Sequence, residues 1–339
     1  MGENGAGGGE ETAVKPVVSV VIVSFNTKNL LRECLESLQT ETAGIPSEVF
    51  VVDNLSLDGS ADLVELEFPQ VRLIRSDRNL GFAAANNRAF ELATGQYVVL
   101  LNSDAFLHPG ALRKAIHYMD RDPGIGLGGA RLVGRNGSWQ PSARLFPSLL
   151  NDFLTLSGLA AKYPESAFFG RFDRTWADQN LEAEVDWVPG AFSIIRRSVL
   201  QRIGFFDENF FLYYEEVDLC RRIQFAGYSI LYWPDVKVIH LGGESSKTVQ
   251  TLTMSRSGAQ LGLWRMRSEF LYYRKHHGSG AWMVKQMEEC WHRLRVWKNR
   301  SAGDAEQKAK AEESEATIAL LHQAWRDTCG GRVSPPRPW

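Results

Sequence analysis

The chain has 339 residues, 44% of them hydrophobic and 23% charged, an ordinary globular composition with enough length to bury a full core. A formal net charge of -2 at pH 7 excludes a protein that binds nucleic acid through overall basicity. The four cysteines, Cys34, Cys220, Cys290 and Cys329, lie far apart without a CxxC pair, which argues against a structural zinc site or a disulfide scaffold and suits a reducing compartment.

Along the chain, the Gly-rich, acidic opening MGENGAGGGEETAVKP has no apolar core, so 1–16 is expected to be a flexible tail and not a signal peptide. Ala6 stands where a myristoylation signal requires Ser or Thr. Continuous apolar, β-branched runs at 17–24, 48–53, 71–75 and 96–101 predict strands covered on both faces. Helix-like stretches at 30–38, 61–66 and 82–92 alternate with them, which implies crossover connections and a mostly parallel central sheet in an α/β fold. A further helix over 111–119 and a strand over 125–133 follow. From 141 to 184 the periodicity is lost, and loops with short helices over the ligand edge of the sheet are expected. Order returns with a strand pair over 184–196 broken at Pro189-Gly190, a helix over 217–225, and strands at 229–233 and 236–240.

From Thr251 the chain reads as helical. WRMRSEFLYYRKHH (264–277) is basic and aromatic, and 281–300 sets Trp282, Trp291 and Trp297 among Arg293, Arg295 and Lys298. Two fates are open for this extension: a helix packed on the catalytic domain, or one lying on an anionic bilayer with Trp at the interface. Residues 302–316 are polar and expected to be solvated, and 333–339 is too Pro-rich for regular structure. No stretch is long and apolar enough to span a bilayer, so membrane contact is expected only at the periphery. The expected division is 1–16 tail, 17–249 catalytic domain (17–104 nucleotide-binding half, 105–249 acceptor and catalytic half), 250–300 helical extension and 301–339 polar, partly helical tail.

Three predicted strands end in polar clusters: Ser24-Phe25-Asn26, Asp53-Asn54, and Asn102-Ser103-Asp104. In a parallel sheet these ends share an edge, where ligands collect. Turn and cap chemistry accounts for Asp58-Gly59-Ser60, but Asp53 sits at the strand tip before the turn begins. The glycines of a dinucleotide fingerprint and a Walker A sequence are both missing after the first strand, so dehydrogenase and P-loop readings fall away. Arg78-Asn79-Leu80-Gly81 makes a glycine bend into a small-residue helix. In the second half, Glu215, Glu216 and Asp218 put three acids in four positions before a helix. Dipole stabilisation explains some of this, while the preceding aromatic residues suggest a partly dry carboxylate with a raised pKa, suited to a general base. His240 closes an apolar strand and precedes LGGESS; it is either structural or the partner of Asp104 in a metal site.

Together these stretches, from VVSVVIVSFNTKNLLRECLESL through VFVVDNLSLDGSAD, RNLGFAAANNRAF and YVVLLNSDAFLHPG to VDWVPGAFSIIRRSVL, GFFDENFFLYYEEVDLCRR and SEFLYYRKHHG, resemble the inverting nucleotide-sugar glycosyltransferases of family 2, with the GT-A fold, in particular rhamnosyltransferase-like bacterial members. The resemblance covers roughly residues 17 to 277. It implies that Asp53 bonds the donor's pyrimidine, with Ser24 and Asn26 lining that pocket, and that Asn79 and Gly81 belong to a loop closing over the nucleotide. Asn102-Ser103-Asp104 occupies the family's DXD position with Asn as its first member, so Asp104 would hold Mg2+ or Mn2+ on the diphosphate and His240 would be the second protein ligand. Trp187 and Gly190 would shape the acceptor site. Glu216 matches the acid of the family's Glu-Asp motif; the extra methylene leaves Glu215 as a competitor for the role of base.

The implied reaction is inverting transfer of a sugar, L-rhamnose from dTDP-L-rhamnose first, onto a hydroxyl of a glycan or polyprenyl-diphosphate-linked glycan acceptor. A UDP-sugar donor is the alternative, followed by a nucleotidyltransferase or a non-catalytic carbohydrate- or membrane-binding scaffold. The expected setting is cytoplasmic, with peripheral attachment to an anionic inner membrane face as an option, no nucleic acid partner, and a homo-oligomer compatible with the sequence.

Overall fold

The computed structural model describes residues 15–242, 257–300 and 304–337. Most of the expected 1–16 tail, and the stretch from Gly243 to Arg256 after His240, therefore lie outside the described residues. The first half lays down β1 (Val18–Ser24), α1 (Lys28–Thr42), β2 (Ser47–Asp53), α2 (Ser60–Glu67), β3 (Arg72–Arg75), α3 (Gly81–Phe90) and β4 (Tyr97–Leu101). β3, β2, β1 and β4 are neighbours in that order and all parallel, with Ser24 opposite Asp53 at the end of the β1–β2 ladder. The alternation of side chains splits each strand between two cores. Val21, Phe50, Val52, Val98 and Leu100 face one side, and Val20, Ile22, Val51, Tyr97 and Val99 the other. Both faces are covered, which is why these strands read as unbroken apolar runs.

The second half adds β5 (Ala105–Leu107), α4 (Ala111–Arg121), β6 (Ile125–Val133), β7 (Trp139–Gln140), α5 (Leu149–Leu156), α6 (Leu159–Lys162), β8 (Ala183–Glu184), β9 (Phe192–Arg196), α7 (Arg197–Ile203), α8 (Glu215–Phe225) and β10 (Ser229–His240). β9 enters antiparallel between β4 and β6, so the sheet is parallel in its N-terminal half and mixed beyond it. The expected strand pair over 184–196 is corrected: β8 pairs with β10, and β9 with β4 and β6, so the two never meet. The expected strands at 229–233 and 236–240 are one strand, whose register against β6 slips between Trp233 and Lys237. Pro234 has no N–H for the ladder, and the slip accommodates it within a continuous strand.

Three helices complete the molecule: α9 (Ser257–His277), α10 (Gly280–Arg300) and α11 (Ala305–Asp327). Helices α1, α2 and α4 cover one sheet face, with Leu31, Leu35 and Leu38 of α1 spaced as a single apolar stripe. The other face is covered by α3, α7 and α8, and its core continues into Phe270, Tyr272 and Tyr273 of α9 and Leu321 of α11. Trp264, Phe270, Tyr272 and Tyr273 are all buried, which places the aromatic run of 264–277 in the packed core and not on a bilayer. The expectation of a solvated 302–316 holds for most of its described residues, which are exposed; from residue 305 it belongs to α11, which buries Ala311 and Ser314 as well as Leu321 and Ala324. Its polar face reads as solvated, but the small residues Ala311 and Ser314 let it pack closely. No helix among the described residues is long and apolar enough to cross a membrane.

Candidate active site

The three polar strand ends do converge, and hydrogen bonds stitch them together. Ser24 Oγ and Thr27 Oγ1 lie 3.1 Å apart, and Thr27 donates to Ser103 Oγ at 2.9 Å. Asn26, at φ 53, accepts from Leu57 N at its Oδ1 at 2.7 Å, and its backbone N–H donates to Ser56 Oγ at 3.0 Å. The β1 and β2 loops are thus locked edge to edge. Asp53 is 5% exposed; its Oδ2 accepts from Ser56 N at 3.0 Å, and its Oδ1 is buried with no partner among the described residues. A buried carboxylate oxygen without a donor is costly, and this one has the capacity to accept an N–H.

Asn79 and Gly81 sit beside this edge but are already committed. Asn79 Oδ1 accepts from Asn54 Nδ2 at 2.9 Å and from Gly81 N at 3.0 Å, and Asn54 Oδ1 accepts from Leu80 N at 2.8 Å. Gly81 adopts φ +80, and a Cβ there would lie 2.3 Å from Phe211 O. The glycine is required by the close passage of residues 211–212 over α3.

Asp104 lies in the turn between β4 and β5, and the antiparallel β5–β10 register sets His240 opposite Ala105. His240 Nε2 stands 3.5 Å from Asp104 Oδ1 and is buried with no other partner among the described residues. Its other nitrogen is fixed by Gln140, which donates from Nε2 to His240 O at 2.8 Å and presents Oε1 to His240 Nδ1 at 2.9 Å. Nδ1 therefore carries the hydrogen and Nε2 the lone pair. Burial lowers the imidazole pKa, against the pull of Asp104, so the ring stays neutral. A neutral imidazole with a free, oriented Nε2 beside a carboxylate fits a divalent cation, and Gln140 supplies the outer support such a ligand needs. Asn102 precedes this pair half-buried, its N–H donating to Ala191 O at 3.1 Å.

That last bond joins the Asp104–His240 edge to the acids. Gly190, next to Ala191, lies against Glu216: a Cβ at Gly190 would come 3.9 Å from Glu216 Oε1. Glu216 and Glu215 are the first residues of α8, which begins two residues earlier than its apolar pattern indicated. Glu215 is 2% exposed, while Glu216 keeps part of its surface open. Burial raises both carboxyls. For Glu215 the neighbouring Glu216 charge pushes further in the same direction, whereas the N–H groups of Glu216 and Gly190, a bond from Glu215 and the charge of Arg144 pull Glu216 back. Both carboxyls therefore hold a proton more tightly than an exposed glutamate does, Glu215 the more so, which gives the pair elevated basicity. Glu215 faces Glu216, and its Oε2 is unpartnered among the described residues. Asp218, by contrast, does pair with Arg222, Nε to Oδ2 at 2.8 Å.

Trp187 is 7% exposed and donates Nε1–H to Leu145 O at 2.8 Å, with the Arg144 guanidinium 5.0 Å above its ring. Trp187 thus packs beneath Arg144 and supports it. Sequence reasoning missed Arg144 and Gln140; both lie where periodicity fades, and neither has a local signal, since each acts on a residue more than 70 positions away.

The family model described as Glycosyl transferase family 2 matches residues 19–204, more than half of the chain. The chain belongs to glycosyl transferase family 2, as a rhamnosyltransferase-like bacterial member with a GT-A-like fold. An N-acetylglucosaminyl-diphospho-decaprenol L-rhamnosyltransferase of Mycobacterium tuberculosis is 31% identical over 235 residues, covering 66% of this chain and 76% of that protein. Rhamnosyltransferase WbbL of Escherichia coli is 23% identical over 276 residues, 76% of this chain and 92% of that protein. The solved mannosyltransferase PcManGT of Pyrobaculum calidifontis, in complex with GDP-Man and Mn2+, shares the fold with a TM-score of 0.56 at 17% identity, covering 94% of this chain and 88% of that one. The protein is a glycosyltransferase. The family model stops at Gly204, before Glu215, Glu216, His240 and the three C-terminal helices.

Proposed function

We propose that this glycosyltransferase moves L-rhamnose from dTDP-L-rhamnose, with inversion, onto a hydroxyl of a lipid-linked or surface-polysaccharide glycan. The observation that carries the reading is the gathering, on one sheet edge, of the unpartnered Asp53 Oδ1, the Asp104–His240 pair and Glu216. Asp53 accepts the N–H of the pyrimidine, with Ser24 and Asn26 holding the neighbouring loops. Thymine and uracil present the same N–H, so a UDP-sugar remains the alternative donor. Asp104 and His240 would hold Mg2+ or Mn2+, and Asn102 borders them. A bound divalent ion supplies positive charge against the diphosphate leaving group. Glu216 takes the proton of the acceptor hydroxyl as that oxygen bonds to the anomeric carbon and the bond to the diphosphate breaks. One displacement inverts the centre, and no covalent carboxylate intermediate is needed. Gly190 leaves room for the acceptor beside Glu216, and Arg144 keeps the Glu216 carboxyl from rising too far.

The rhamnosyltransferase relatives, one named for a decaprenol-diphosphate-linked acceptor, support a membrane-bound acceptor here. The surface of α10 supports peripheral attachment: Trp282 is 56% and Trp297 78% exposed, with Met283 and Leu294 also exposed. Leu150 and Phe153 of α5 extend this apolar face, and the Phe153 and Trp291 rings meet edge to face at 6.3 Å.

Nucleoside diphosphate release from a panel of dTDP- and UDP-sugars with Mg2+ or Mn2+, with mass detection of the product, tests the reading. Turnover of dTDP-L-rhamnose that is lost in Glu216→Gln and Asp104→Ala supports it. Turnover of UDP-sugars alone would overturn the donor, and wild-type turnover in Glu216→Gln would overturn the base.

A further inference from the structure

We infer that Glu269 of α9 is a positioning residue for Glu216, acting through the turn at Tyr213-Tyr214; this rests on the reading of Glu216 as the base. Tyr213 and Tyr214 adopt φ 70 and φ 69, two consecutive non-glycine residues in the left-handed region immediately before the glutamate pair. L side chains seldom adopt that backbone, and two in succession persist only where the surroundings enforce them. The turn fixes where α8 starts: Tyr214 O accepts the helical bond from Asp218 N at 2.8 Å, and no side chain caps the helix. The direction in which Glu216 leaves the helix therefore depends on what holds the turn.

One helix holds it on both sides. Ahead of the turn, the Trp264 and Phe211 rings meet with centroids 4.3 Å apart, and Ser268 Oγ donates to Leu212 O at 2.8 Å. At the turn, Tyr214 OH donates to Glu269 Oε1 at 3.1 Å, and its ring lies 5.4 Å from that of Tyr272. Beyond it, Lys275 Nζ and His276 Nε2 each approach Asp218 Oδ1 at 2.7 Å. The six side chains come from successive turns of α9 and follow residues 211–218 in register. Of these contacts, the Tyr214–Glu269 bond and the Tyr214–Tyr272 ring contact grip a left-handed residue itself, and of the two only the bond is directional. Glu269 is 2% exposed, so bulk water does not compete with it for the Tyr214 hydroxyl.

The C-terminal helices, outside the family model, are thereby part of the machinery that aims the base. The test compares Tyr214→Phe, Glu269→Ala, Glu269→Gln and the double variant Tyr214→Phe/Glu269→Ala, each checked for a wild-type melting transition and for nucleoside diphosphate binding by calorimetry. We expect Tyr214→Phe and Glu269→Ala to lower kcat tenfold or more with donor KM unchanged. Glu269→Gln, which keeps an acceptor oxygen, should recover most of the loss, and the double variant should be no worse than either single one. Wild-type kcat in folded Tyr214→Phe and Glu269→Ala, while Glu216→Gln is inactive, overturns the inference alone. Parallel loss of donor binding or of the melting transition in all variants assigns a purely structural role and also overturns it. Wild-type kcat in Glu216→Gln removes the base itself, and the inference falls with it.

Discussion

Substituting Gly81 by alanine isolates the close passage of residues 211–212 over α3. Gly81 adopts φ +80, where an L residue costs about 1–2 kcal/mol. Its Cβ would also stand 2.3 Å from Phe211 O and 2.5 Å from Phe211 Cδ2, inside any normal contact, and relieving such overpacking costs about 1–3 kcal/mol. The two together give about 2–5 kcal/mol, a large part of the roughly 5–15 kcal/mol that holds a typical protein folded. Gly110 is the internal control. It has φ +81, but a Cβ there meets nothing within 4 Å, so Gly110→Ala should lose only the backbone share, about 1–2 kcal/mol. Unfolding in urea followed by tryptophan fluorescence gives both differences. Because Phe82 N donates to Phe211 O at 2.8 Å at this crossing, Gly81→Ala should also lower kcat by displacing the segment that leads into the catalytic turn. A cost for Gly81→Ala no greater than that for Gly110→Ala would refute the reasoning.

Gln140→Ala should leave the fold intact but weaken Mn2+ binding, followed by electron paramagnetic resonance, by about 10–100-fold, because His240 loses the acceptor that fixes its Nδ1 hydrogen; unchanged affinity would remove His240 from the ligand set. Burial would raise the Asp218 carboxyl, but the bond from His276 and the charges of Arg222 and Lys275 outweigh it and hold the pKa at about 2, against an ordinary 3.8. A depressed carboxyl contributes stability that is complete above the unfolded value near 3.8 and fades as pH falls toward about 2. That difference is worth about 2 kcal/mol, so Asp218→Asn should lose the corresponding slope of unfolding free energy between these pH values, and an identical slope would contradict the assignment. For the exposed α10 face, Trp282→Ala/Trp297→Ala should reduce flotation with anionic liposomes, and added salt should do the same. Arg293 and Arg295 already pair with Glu289 and Glu313, so removing Lys298 should matter more than removing either arginine; flotation indifferent to all of these changes would return α10 to an ordinary packed helix.

What the sequence by itself determined is what local chemistry encodes. Unbroken apolar runs ending in Ser24, Asp53 and Asn102 announced strands covered on both faces with a shared polar edge, because period-two burial and strand-end polarity are properties of neighbours in the chain. The Leu31, Leu35 and Leu38 stripe announced α1 in the same way. Tertiary structure alone decided the rest. The antiparallel entry of β9 between β4 and β6 depends on pairings between distant segments, which no local run specifies. The aromatic, basic stretch 264–277 carries the same residues whether it faces lipid or a core; only the packing of α8, α9 and α11 buried Trp264 and Tyr272 and left Trp282 and Trp297 outside. Glu215 and Glu216 are indistinguishable as neighbours in sequence. Their different proton affinities arise from groups far along the chain, with Gly190 N–H and Arg144 beside Glu216 and none of these beside Glu215, because electrostatic interaction follows distance in space and not separation in sequence.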